Sequence, residues 1–168
     1  DLEYVEQPCE SVEELAELRA RIKHMGIPIA ADESVRKAED PLRVARAGAA
    51  DLLIIKVQPL GGVRRALQIV AEAGLPAVVS SALDTSVGLG LGTSLAAALP
   101  TLDYDCGLGT GALCEYDVRT PGLIPQTGVL PVERVIPDAA SLTTAAVSTE
   151  RRDWWLARLE RSYALLAS

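Results

Sequence analysis

The sequence predicts an α/β fold in which short strands and longer helices alternate around a parallel sheet. Five apolar runs, most of them rich in β-branched residues, read as strands: Leu2–Glu6, Ile27–Ala31, Leu52–Val57, Ala77–Ser81 and Tyr104–Leu108. Stretches of helical period separate several of them. Successive strands lie about 20 to 27 residues apart, which leaves room for one helix per crossover, as parallel pairing requires. That spacing suits a barrel and an open doubly wound sheet equally.

Between the first two strands, Ser11-Val12-Glu13-Glu14 is a capping box, and Val12, Leu15, Leu18 and Ile22 share a helical face. Gly26-Ile27-Pro28 stops that helix. Asp40-Pro41 caps a second helix with an apolar stripe of Leu42, Ala45 and Ala49. Gly61-Gly62 opens a third, with Val63, Ala66, Leu67 and Val70 facing one way and Gly74 at its end. Past Cys114, Pro121, Pro125, Pro131 and Pro137 interrupt residues 116–141, which predicts an extended segment laid over another surface. A last amphipathic helix, Thr149–Leu166, carries Trp154, Trp155, Leu159, Tyr163 and Leu166. Its adjacent tryptophans lie on different faces, so at least one is expected to be packed.

Composition narrows the function classes. Sixteen basic against twenty-three acidic residues give a net charge of −7, and the basic residues are scattered, which argues against nucleic-acid binding. No apolar run reaches the roughly 18 residues of a membrane span, and Asp1-Leu2-Glu3 lacks a signal-peptide pattern. A cytoplasmic protein is expected. Cys9, Cys106 and Cys114 form an odd set without metal-binding spacing and read as reduced thiols. The Gly88, Gly90, Gly92 and Gly107, Gly109, Gly111 series lack the spacing of a dinucleotide loop and read as close packing or turns. His24, near a helix end, reads as a surface residue.

The informative polar residues sit at the carboxyl ends of the strands, where parallel α/β folds bind ligands: Glu6, Asp32, Lys56, then Ser80 and Ser81. Two carboxylates on adjacent strand ends suit a hard divalent cation. A lysine beside it can act as a base or stabilise developing negative charge, so metal-assisted enolate chemistry is the reaction class suggested. Taken singly, Glu6 and Asp32 fit ordinary turn and cap roles just as well.

Val5-Glu6-Gln7-Pro8, Ala31-Asp32-Glu33-Ser34 and Ile55-Lys56 followed by Gly61-Gly62 resemble, in order and spacing, the muconate-lactonizing subgroup of the enolase superfamily. The resemblance implies strands 4–8 of a modified TIM barrel, (β/α)7β, over residues 1–115, with 116–168 an extended segment and helix that pack back on the barrel or on a capping domain. It implies Glu6 and Asp32 as ligands of Mg²⁺, or of Mn²⁺ in its place, and Lys56 as the catalytic lysine. Ser80-Ser81-Ala82-Leu83-Asp84-Thr85-Ser86-Val87-Gly88 is similar to the seventh-strand signature of o-succinylbenzoate synthases, those of actinobacteria in particular.

That second resemblance implies dehydration of 2-succinyl-6-hydroxy-2,4-cyclohexadiene-1-carboxylate through an enediolate, a step of menaquinone synthesis, with Lys56 over the ring in a cation–π contact. It makes Glu33 and Asp84 supports for the ligands, and Ser80 or Ser81 with Gly107 and Gly109 the contacts to the succinyl end. A tight strand-to-loop turn accounts for those serines and glycines equally well. The capping domain, strands 1–3, a Lys-x-Lys pair and a third acidic ligand are not in the sequence, and Lys23, followed by His24 and Met25, does not replace them. The missing half is therefore expected in cis or as another chain, and these residues alone are expected to be inactive. A dipeptide epimerase or N-acylamino acid racemase of the same subgroup, and a non-catalytic barrel fragment, stay open as alternatives.

Overall fold

The computed structural model describes residues 2–166; Asp1, Ala167 and Ser168, the outermost residues of the two expected parts, lie outside them. Four parallel strands form one sheet in sequential order: β1 (Val5–Glu6), β2 (Ile29–Ala31), β3 (Leu52–Ile55) and β4 (Ala77–Val79). The crossovers carry α1 (Val12–Ile22), α2 (Asp40–Ala47) and α3 (Val63–Ala73), and α4 (Ser86–Ala98) follows β4. The expected fifth strand is reduced to a single parallel bridge from Ser80 to Gly107, because bends and turns occupy the rest of that run.

The sheet sorts its side chains by period two. Ile29, Ala31, Leu53, Ile55, Ala77 and Val79 point to the helices and join Leu15, Val44, Ala66, Ile69, Leu89 and Leu95 in the main core. Each fully buried Leu or Ile there contributes about 1.5–3 kcal/mol relative to exposure. Ala30, Leu52, Ile54 and Val78 form a second cluster on the opposite face, closed over by Tyr4 and Tyr104. Those two rings come from the two ends of the sheet and meet edge to face, 5.4 Å between centroids.

The capping box of α1 forms in both directions: Glu14 N–H donates to Ser11 Oγ at 3.2 Å, and Ser11 N–H donates to Glu14 Oε2 at 2.9 Å. Just before β3, Asp51 accepts from Arg19 Nε at 2.8 Å and from the Ile29 amide at 2.9 Å. Burial pushes the Asp51 carboxyl up, but these donors outweigh it and hold it below the usual carboxylate value. Gly74 ends α3 at φ +66, a left-handed conformation with little penalty only for glycine.

The second helix corrects its expected details. Glu39 occupies the cap position, Asp40 is already helical and accepts from the Lys37 amide, and the buried face is Pro41 with Val44. Leu42 and Ala45 are only half-buried, and Ala49 lies beyond the helix. The glycines of α4 are packing residues, as expected. A Cβ on Gly90 would stand 2.8 Å from Val135 Cγ2, and one on Gly92 would stand 2.7 Å from Leu108 Cδ2.

The proline-rich segment runs across α4 as a strap, with Leu123 buried and Leu130 and Val135 against the main core. Asp117 fastens it: its carboxylate accepts from the Ser86 amide at the start of α4 and from Ser86 Oγ, which in turn accepts from the Leu123 amide at 2.6 Å. Two helices follow, α5 (Ala139–Thr144) and α6 (Thr149–Leu166). None of α6 is buried. Trp154 and Trp155, expected to include a packed ring, are 45% and 50% exposed and lie edge to face against each other beside Arg151. Among the described residues, no helix is long and apolar enough to cross a membrane.

Candidate active site

Strand register shows why the chemical residues converge. Glu6 pairs with Ala30 and Ala30 with Leu52, so Glu6 shares the inner, tyrosine-covered face of the sheet. Asp32 lies two residues past Ala30, Lys56 two past Ile54 and Ser80 two past Val78, all in the same period and each just past the end of its strand. The strands therefore bring Glu6, Asp32, Lys56 and Ser80 to one end of one face.

Lys56 Nζ donates to Asp32 Oδ1, and both side chains are only 12% exposed. Glu6, exposed at the end of β1, lies beside the pair. Its carboxyl is pushed above the usual glutamate value, first by partial burial, then by the negative charge of Asp32 and a shared hydrogen bond with it, with Lys56 pulling weakly the other way. Two carboxylates held close enough to raise one pKa, beside a lysine, are an oxygen donor set that a hard cation would relieve of repulsion. Glu6 and Asp32 fit as two ligands. Among the described residues, no group of three or more acidic, His or Cys side chains is assembled for a metal, so the remaining ligands would have to come from elsewhere.

The other candidates are placed differently. Glu33 is exposed and bonds Arg36 at 3.1 Å, although its charge still contributes to the raised Glu6 pKa. Asp84 accepts from the Ala82 amide at 3.3 Å and crowds Gly88, so it shapes the loop after β4. Ser81 is buried, with its hydroxyl bonded to the Gly107 carbonyl at 3.0 Å and to Thr110 Oγ1 at 2.8 Å. Gly107 donates its own amide to the Val79 carbonyl. A Cβ there would lie 2.8 Å from Ser80 Oγ, so this glycine provides clearance. Ser80, half-buried, keeps only a long 3.4 Å bond to that same carbonyl, and Gly109 opens the 3-10 turn Thr110–Leu113. Thr110 has no signal in the sequence, since its role depends on a partner many residues away.

A parallel sheet with acids and a lysine at its carboxyl ends defines the class, and sequence comparison agrees: residues 1–139 match the enolase C-terminal domain-like family, and the chain belongs to it. Within that family the chain is 57% identical to an o-succinylbenzoate synthase of Mycolicibacterium smegmatis over 99% of its own length and 50% of that relative's. It is 55% identical to the one from Mycobacterium marinum over 98% of its length and 49% of the relative's. The chain thus spans about half the length of the curated relatives it matches. Among solved structures, a muconate lactonizing enzyme from Pseudomonas fluorescens in complex with muconolactone aligns with a TM-score of 0.74 at 25% identity, over 84% of this chain and 40% of that one. A probable mandelate racemase from Alicyclobacillus acidocaldarius aligns with a TM-score of 0.72 at 32% identity, over 88% and 41%.

Proposed function

We propose that this chain is the carboxyl-terminal half of an o-succinylbenzoate synthase, a cytoplasmic lyase that removes water from 2-succinyl-6-hydroxy-2,4-cyclohexadiene-1-carboxylate. The observation that carries this reading is the identity of more than half of all positions, across nearly the whole chain, with curated enzymes of that name. The clustered Glu6, Asp32 and Lys56 are in keeping with it.

The reaction takes a proton from the carbon bearing the carboxylate and expels the ring hydroxyl as water, leaving an aromatic ring. Mg²⁺, held by Glu6 and Asp32 with ligands from the other half of the protein, would supply positive charge against the substrate carboxylate as negative charge builds up there. Lys56 would lie over the ring and stabilise the electron-rich intermediate electrostatically. Ser80, with its hydroxyl weakly engaged, is the residue best able to donate to the succinyl end; Ser81 and Gly107 hold the floor beneath it. Glu33 and Asp84 act through the loops that carry the ligands. The base itself belongs to the other half, in cis or on another chain, so these residues alone are inactive. That half would also cover the exposed apolar side of α6.

The test is turnover of the cyclohexadiene substrate by the full-length protein with Mg²⁺, against an N-acylamino acid as competitor substrate. Formation of o-succinylbenzoate that stops when the metal is chelated is the expected result. Racemisation of the amino acid derivative with no dehydration would overturn it.

A further inference from the structure

Asp32 stands at the cap position of the 3-10 turn Glu33–Val35, where an aspartate carboxylate ordinarily folds back to accept the turn's free amides. Here it makes no such bond and meets Lys56 instead. Two amides at this turn, those of Asp32 and Ser34, are met instead by the residue just past β1. Gln7 Oε1 accepts from the Asp32 N–H at 3.0 Å and the Ser34 N–H at 3.2 Å, while Gln7 Nε2 donates to Ser34 Oγ at 2.9 Å and to the Cys9 carbonyl at 2.8 Å. Two amide N–H groups facing the oxygen fix which way round the Gln7 amide lies. Its backbone N–H donates to the Ala30 carbonyl at 2.8 Å, and its φ of +39 is unusual for a residue with a side chain.

We propose that Gln7 is a positioning residue that caps the Asp32 turn in place of Asp32, so that the Asp32 carboxylate is left for a divalent cation beside Glu6. Glutamine is the side chain that fits, since it presents two acceptor and two donor positions on one planar group. A glutamate keeps the two acceptors and loses the donors; a leucine fills the space and loses both. The inference rests on the metal reading given above and adds the device that orients one of the two ligands.

The test uses the full-length protein, Mg²⁺ titrated by calorimetry and amide hydrogen exchange measured without metal. In Gln7→Leu the Asp32 and Ser34 amides should exchange faster, and Mg²⁺ affinity should fall by about 10- to 100-fold, the usual effect of removing a partner that orients a ligand. Saturating Mg²⁺ should return kcat towards that of the unsubstituted protein. Gln7→Glu should keep both amides protected. A purely structural role for Gln7 would lower the thermal midpoint of metal-free protein and leave Mg²⁺ affinity unchanged, and that outcome overturns the proposal. So does unchanged exchange at the two amides in Gln7→Leu. Unsubstituted protein that takes up no Mg²⁺ overturns the metal reading itself, and the exchange data, which need no metal, keep the two failures apart.

Discussion

The βα units up to Val79 and the stretch from Glu115 onward contain equally well-formed helices, yet they use them differently. Each of α1, α2 and α3 turns buried residues toward the sheet, Val12 and Leu15, Pro41 and Val44, Ala66 and Ile69. The longest helix, α6, buries nothing. Local signals are enough to form a helix, but a second surface is needed to give its apolar side a place. In the first region that surface is the sheet; in the second the strap finds one on α4, and α6 buries nothing against either.

The largest effect that bears on this contrast is functional. If the chemistry lives on the inner face of the βα units, Lys56→Ala in the full-length protein should lower kcat by about 10²- to 10⁴-fold, as losing a charged group at a reacting centre does. Next comes the core. Ile69→Ala should cost about 2–5 kcal/mol in chemical denaturation, whereas Leu159→Ala in this chain should stay within about 0.5 kcal/mol. Equal losses at the two positions would break the comparison.

Smaller effects fall on the seam between the regions. Gly90→Ala places a methyl against the stiff Val135 side chain and should destabilise by about 1–2 kcal/mol, even though alanine favours the helix. Asp117 gives the seam a pH dependence. Burial pushes its carboxyl up, but bonds from the Ser86 hydroxyl and from the Ser86 and Val118 amides outweigh this and hold it below the usual value. The strap's fastening is then fully present above the unfolded aspartate pKa of about 3.9 and is lost as pH falls through the lower folded value. Acid titration followed by hydrogen exchange at Leu123 should show that loss, and Asp117→Asn should remove most of its pH dependence.

Much of the first region could be read from sequence because its determinants are local. Ser11 to Glu14, Gly61-Gly62 and Gly74 mark helix ends by their own conformational needs, and the structure starts α1 and starts and stops α3 where they stand. Glu6, Asp32 and Lys56 were legible because a charged residue closing an apolar strand rarely serves the strand itself. The helix α4 was harder: it is apolar nearly all round and holds three glycines, so no period announces it. Tyr104–Leu108 has the composition of a strand but only one bridge, because pairing depends on neighbours rather than on the residues themselves. Gln7 and Thr110 escaped for a related reason. Their partners, Asp32 with Ser34 and Ser81, are brought near only by the folded sheet.

The contact between Tyr4 and Tyr104 joins the start of the first strand to the segment leading into the Ser80–Gly107 bridge. Each βα unit can collapse on its immediate neighbour at low entropic cost, but these two rings can meet only after the chain between them is in order. Their pairing therefore belongs to the late events of folding. A substitution such as Tyr104→Ala should quicken unfolding while leaving the folding rate nearly untouched.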